Sequence, residues 1–134
     1  IRDSLQAFAR IGLIPDAGGS WSLPRLVGPA RARGLAMLAE PIGAETAEEW
    51  GLIWKAVNDD SLMAEARETA MKLANGPTLG LALTKQAMLA AATNSLEEQL
   101  LLEEQVQARA GASDDYREGV SAFLEKRPAK FSGR

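Results

Sequence analysis

The 134-residue sequence contains no cysteine and no histidine. The first absence excludes disulfide frameworks, thiolate metal sites and cysteine nucleophiles, and it is mildly favourable to a reducing compartment. The second removes Ser-His-Asp triads, histidine-ligated zinc or haem and the commonest general base, so acid-base chemistry falls to a carboxylate, a lysine or the single tyrosine. No apolar run approaches the ~18 residues that a membrane span needs. The opening IRDSLQAF also lacks the basic segment and long apolar stretch of a signal peptide. The expectation is a cytoplasmic protein with no membrane partner. Positive charge is not in excess either: fifteen Lys and Arg against eighteen Asp and Glu give a net charge of -3, which offers nucleic acid no global basic field. Internal repeats and low-complexity tracts are missing as well. What is there, 46% hydrophobic and 25% charged residues, is the balance of a globular domain able to bury a core. The first residue is Ile rather than Met, so the expectation is a chain cut short at its amino end.

Turn and cap signals divide the chain. Residues 1–8 read as extended, and Ile11 to Pro15 as a short apolar segment ended by proline. Asp16 to Trp21 is a loop leading into a short helix, with Pro24 in its first turn and Gly28 closing it. Pro29 opens the next helix, since its fixed φ suits a first turn and its missing N–H costs nothing there; Pro41 and Gly43 stop it. A helix over 44–50 ends at Gly51, and 52–57 reads as one brief strand. From Asp59 the pattern is helical. One helix starts with Asp60 or Ser61 as cap and runs to Asn75-Gly76; a second, over 78–92, is apolar around most of its circumference and expected to be buried on several sides. Ser95 and Glu98 match a capping box that starts a third helix near Leu96. Gly111 interrupts it, Ser113 caps the last helix over Asp114 and Asp115, and Arg127-Pro128 ends that helix. Two regions follow from this reading, 1–58 and 59–134.

Two segments are candidates for chemistry. In Gly12-Leu13-Ile14-Pro15-Asp16-Ala17-Gly18-Gly19 an acidic residue stands among apolar residues and paired glycines at a loop-to-helix junction. Glycines there let a ligand approach the backbone, and an apolar wall would desolvate the carboxylate and raise its pKa. The plainer reading of Asp16 is a helix cap. At the other end Lys126, Arg127, Lys130 and Arg134 stand beside Phe123 and Phe131, a set able to hold a phosphate-bearing ligand with an aromatic ring, or simply a solvated helix end. Glu103 shares a face with Leu96, Leu100 and Ala110 and reads as half of a helix-helix ion pair rather than a catalytic acid.

Taken together, IGLIPDAGGSWSLPRLVG, AEPIGAETAEEWGLIWKAV and DDYREGVSAFLEKRPAKFSGR resemble the crotonase, or enoyl-CoA hydratase/isomerase, superfamily. The resemblance implies an α/β crotonase-like fold, a spiral of strand-strand-helix units followed by helices. This chain would be its mainly α-helical carboxy-terminal half with one or two short strands: residues 1–58 the end of the spiral with an active-site loop, and 59–134 a helical region for oligomerisation and for covering the active site. It implies an acyl-CoA substrate, a homotrimer or hexamer, no metal, and no cofactor beyond the coenzyme A of the substrate. The hydratases of this family use two glutamates, one on a segment outside this sequence and one at the position held here by Phe8, which cannot activate water. Asp16 instead resembles the catalytic carboxylate of the branch that isomerises CoA thioesters, by double-bond or ring-epoxide isomerisation. The resemblance places Pro15, Ala17 and Gly18 beside the acyl group, and, toward coenzyme A bound in an adjoining subunit, Phe123 near pantetheine or the acyl chain and Lys126 near a phosphate. The two backbone N–H groups that hold the developing oxyanion would come from the preceding half. Two other readings stand beside this one: an enoyl-CoA hydratase, and a trimerisation module with no turnover of its own.

Overall fold

The structure, a computed structural model, describes residues 6–134. Contacts divide the chain into two compact units, one up to Met63 and one from Ala64.

The first unit begins with a 3-10 helix, Ala7–Ile11, where extended chain was expected; the rest of that expectation, residues 1–5, lies outside the described residues. Gly12, at φ 74°, ends the turn in the left-handed region, and Leu13 N–H donates to the Phe8 carbonyl at 2.9 Å. Helix α1, Gly19–Val27, starts earlier than the proline pattern predicts, so Pro24 sits inside it rather than in its first turn. The start is fixed by Gly18, whose carbonyl accepts from Trp21 N–H (3.1 Å) and Ser22 N–H (2.9 Å). Helix α2, Pro29–Leu38, opens on proline as predicted. It ends before Pro41, at Ala39, which is left-handed (φ 52°) and buried. Leu23 and Val27 of α1 pack on Ala32 and Leu35 of α2 to form the core of this unit, with Ile42, Trp50 and Leu52 against it. Helix α3, Ala44–Glu49, follows. The strand expected over 52–57 does not form. Leu52 and Ile53 N–H both donate to the Ala47 carbonyl, and Ala56 N–H donates to Glu48 Oε2, so the backbone closes the end of α3 instead of pairing with a neighbour. Strand structure among the described residues is reduced to an isolated bridge at Ile42.

Helix α4, Asp59–Ala74, begins one residue before the expected cap and contains the division between the units. In the second unit α5, Thr78–Ala90, packs on α6, Leu96–Gly111, and α6 on α7, Asp114–Leu124. The capping box at the start of α6 is formed in full: Ser95 Oγ accepts from Glu98 N–H (3.2 Å) and Glu98 Oε2 accepts from Ser95 N–H (2.7 Å). Gln99 joins two helices by donating to the Ala87 carbonyl at 3.2 Å. Burial of α5 on several sides is not found. Leu83 is its one buried residue, while Met88 is 73% exposed and Leu89 67%, so this chain by itself covers a single face of the helix. Glu103 makes no ion pair among the described residues; its carboxylate faces Gln99 Nε2 at 3.5 Å. Helix α7 ends three residues before the expected Arg127, and Lys126 turns left-handed (φ 53°) to send the remaining chain back along it.

Candidate functional site

The Asp16 turn is built from its backbone. The Asp16 carbonyl accepts from Gly19 N–H at 2.7 Å, and the two residues between them, Ala17 (φ 49°) and Gly18 (φ 82°), both have positive φ, as a type I′ turn requires. Glycine enters that region freely, whereas alanine pays about 1–2 kcal/mol for it. The strain at Ala17 is therefore set beside the candidate carboxylate, the kind of location where backbone strain tends to be kept. Asp16 itself is exposed, so the apolar wall expected to desolvate it is not supplied by the described residues of this chain. Nor is it a cap: the cap position is Gly18, and no side chain caps α1. Pro15 is half-buried, with its Cβ 3.3 Å from where a Cβ on Gly19 would stand. The structure thus sets Pro15, Asp16, Ala17 and Gly18 on one hydrogen-bonded turn in the first unit.

Phe123 and Lys126 belong to the second unit. Phe123 is 83% exposed at the end of α7, on the rim of a cavity of about 440 Å³ whose lining includes Tyr116, Gly119, Val120 and Phe131. Lys126 is exposed on the turn that follows. The basic cluster predicted around them is only partly available for a ligand. Arg127 is committed, its Nη1 and Nη2 donating to the two carboxylate oxygens of Glu118 (2.6 and 2.9 Å) and its Nε to Glu125 (2.6 Å). These hydrogen bonds, with that from Lys130 N–H (2.8 Å), lower the Glu118 carboxyl to about 2 and raise the Arg127 guanidinium above its ordinary value. Among the described residues, no group of three or more potential ligands is placed to hold a metal ion.

The family model for enoyl-CoA hydratase/isomerase matches residues 4–134. The chain belongs to the enoyl-CoA hydratase/isomerase family. It is 54% identical over 130 residues to the 1,2-epoxyphenylacetyl-CoA isomerase of Escherichia coli, covering 97% of this chain and 50% of that protein. It is 55% identical to a "Probable enoyl-CoA hydratase" of Rhodobacter capsulatus, covering 97% of this chain and 51% of the relative. The crystal structure of an enoyl-CoA hydratase from Polaromonas superposes with a TM-score of 0.90 at 33% identity, over 96% of this chain and 50% of that one. The chain spans about half the length of the relatives it matches. Its crotonase-type architecture, the helical carboxy-terminal part of the fold, is thereby established.

Within this crotonase-family chain, two structural details went beyond the residue pattern. Asp115 reads from sequence as one of two acids favoured by a helix dipole, but it is buried, and its carboxylate accepts from Ser132 N–H (2.6 Å) and Gly133 N–H (3.0 Å). Phe131 reads from sequence as an aromatic beside the basic cluster; the structure makes it a wall of the α7 cavity against Gly119, where an added Cβ would stand 3.6 Å from the ring. The available signal was spacing: Asp115, Glu118, Gly119 and Ala122 fall at i, i+3, i+4 and i+7 and so share a helix face.

Proposed function

We propose that the whole protein is a cytoplasmic isomerase of acyl-CoA thioesters, acting on the ring epoxide of an aromatic acyl-CoA or on the double bond of an enoyl-CoA, with Asp16 as its acid-base residue. The observation that carries this reading is the Asp16 turn: an aspartate with no capping role, on strained backbone at the start of α1, with no hydrogen bond or ion pair to its carboxylate among the described residues. Its carboxylate takes a proton from a carbon beside the thioester carbonyl, and the resulting carboxylic acid returns it to another carbon, so one group serves both steps and no water is consumed. The charge that builds on the thioester oxygen is held by preorganised N–H donors. Pro15, Ala17 and Gly18 form the backbone against which the acyl group lies. Phe123 contacts the pantetheine or acyl portion of the acyl-CoA bound in an adjoining subunit, and Lys126 a phosphate of it. The protein works as a homotrimer or hexamer, which would cover apolar residues such as Met88 and Leu89.

The similarity to the R. capsulatus protein favours a second reading, hydration of an enoyl-CoA. Against it stands Phe8, an apolar side chain on the 3-10 helix that can neither take nor give a proton. Asp16→Asn in the intact protein tests the first reading. Isomerisation should fall by about 10²–10⁴-fold, the share ordinarily supplied by a positioned acid-base group. Normal isomerase turnover in that variant, or hydration of an enoyl-CoA faster than any isomerisation, would discard it.

A further inference from the structure

Ten residues follow α7. They run back along the helix as a strap held at two levels, both by carboxylates of one helix face. Near the turn, Glu118 binds Arg127 with both oxygens and accepts from Lys130 N–H. At the far end, Asp115 accepts from Ser132 N–H (2.6 Å), Ser132 Oγ (3.3 Å) and Gly133 N–H (3.0 Å), while its own N–H donates to the Arg134 carbonyl (3.0 Å). Asp115 is the one buried charged or polar side chain among the described residues, at 3% exposure. A buried carboxylate is costly unless satisfied, so this one holds the strap in a single position.

The strap's position matters because Phe131 lies between the two attachment levels. It is the strap's contribution to the α7 cavity, which Phe123 also lines, and its ring lies against Gly119, 3.6 Å from where a Cβ would stand. Gly133, just beyond, adopts φ 78°, and an added Cβ would fall 2.5 Å from Thr78 Oγ1 at the start of α5, so the strap's end has no space to shift in that direction.

We propose that Asp115 is a positioning residue for ligand binding: by clamping Ser132 and Gly133 it presents Phe131 as a preset aromatic wall of the α7 cavity, and so sets the affinity of that cavity for the coenzyme A portion of the substrate. This rests on the acyl-CoA reading above, and adds to it a residue that borders the same cavity and acts through Phe131. A wall already in place spares the ligand the cost of ordering it.

The test uses the intact protein, with coenzyme A itself as the calorimetric probe. Asp115→Asn keeps Oδ1 as the acceptor for Ser132 N–H (2.6 Å) and Gly133 N–H (3.2 Å) but removes the charge and turns a donor toward Gly133 N–H in place of Oδ2, its shorter partner (3.0 Å). Coenzyme A should bind about tenfold more weakly, about the effect of one lost hydrogen bond to a charged group. KM should rise in step, with the loss falling on KM rather than kcat, and amide exchange should speed up at Ser132 and Gly133. In a Phe131→Ala background the same substitution should add almost nothing, because the wall it positions is gone; a merely structural role would add its full effect there. Gly133→Ala, which dislodges the strap without touching Asp115, should weaken binding in the same way. If Asp115→Asn accelerates exchange at Gly133 yet leaves coenzyme A binding intact, or if its effect persists without Phe131, the positioning role is wrong while the acyl-CoA reading survives. If the unaltered protein neither binds coenzyme A nor turns over any acyl-CoA, both fall.

Discussion

The turn that carries Asp16 makes opposite demands on two adjacent residues, and exchanging their identities tests this directly. Ala17 and Gly18 both have positive φ, 49° and 82°. For alanine that conformation costs about 1–2 kcal/mol. Replacing it by glycine relieves this cost but gives back about 0.4–1 kcal/mol through the freer unfolded chain. Because Ala17 is exposed, little packing is lost with its methyl. The net expectation for Ala17→Gly is a gain of about 0.5–1 kcal/mol, the difference of those two quantities. Gly18→Ala is the mirror case: a Cβ there would meet no atom within 4 Å, so the penalty is purely conformational. The same arithmetic gives a loss of about 0.5–1 kcal/mol. The double exchange should return close to the starting stability. Urea unfolding reads these differences as shifts of the midpoint of about 0.3–0.5 M, for a slope near 2 kcal/mol/M. If the proposed role of Asp16 holds, isomerase turnover of the intact protein should fall in Ala17→Gly even as stability rises, because a looser turn holds Asp16 less firmly. A destabilised Ala17→Gly variant would refute the reasoning, since it would mean that the alanine is not strained where it stands.

Three further outcomes follow from other parts of the chain. Glu118, whose carboxyl is lowered from 4.5 to about 2 chiefly by its hydrogen bonds from Arg127, favours the folded state above the ordinary carboxylate pKa, and this contribution is lost as pH falls from 4.5 toward 2. Glu118→Gln should remove the corresponding acid-dependent drop in the urea midpoint while leaving the drop from other carboxylates in place. Ser95→Ala breaks the formed capping box and should cost about 1 kcal/mol, measured by urea unfolding. Leu83→Ala removes the buried contact of α5 and should cost about 2–5 kcal/mol, with a smaller loss indicating that the site collapses around the gap.

Signals confined to a few neighbouring residues were legible in the sequence. The capping box at Ser95, the serine cap at Ser113 and the proline that opens α2 each act through backbone groups within one helical turn, and each is found where the pattern puts it. Signals that depend on a partner elsewhere were not. The stretch 52–57 has strand-forming residues, but a strand needs a neighbour, and here the Ala47 carbonyl captures the N–H groups first. Pro24 reads as a first-turn residue because proline disfavours a helix interior, yet the turn at Ala17 and Gly18 starts α1 early enough to enclose it. The apolar circumference of α5 was read as burial, although apolar residues show only what a helix can bury, and this chain covers one face of it. For the candidate site, the peptide around Asp16 stood out by composition. The partners of Asp115 were hidden because they lie seventeen and eighteen residues away, on a strap with no regular structure.

The environments of three aspartate and glutamate side chains bear on the proposal that Asp16 is the acid-base residue. A carboxylate that already accepts strong hydrogen bonds is stabilised as the anion, and it must give those bonds up before it can take a proton. Glu118 is in that position: both of its oxygens are held by Arg127, and a backbone amide adds a third bond. Asp115 accepts from two backbone N–H groups and a hydroxyl in a buried setting, so its oxygens are taken up in holding the strap. Asp16 has no such engagement among the described residues, and the backbone bond that fixes its turn uses its carbonyl and leaves the carboxylate out. Its position is therefore held without occupying the group itself, which is what an acid-base residue needs if it is to meet a substrate carbon and give up its proton in the same turnover.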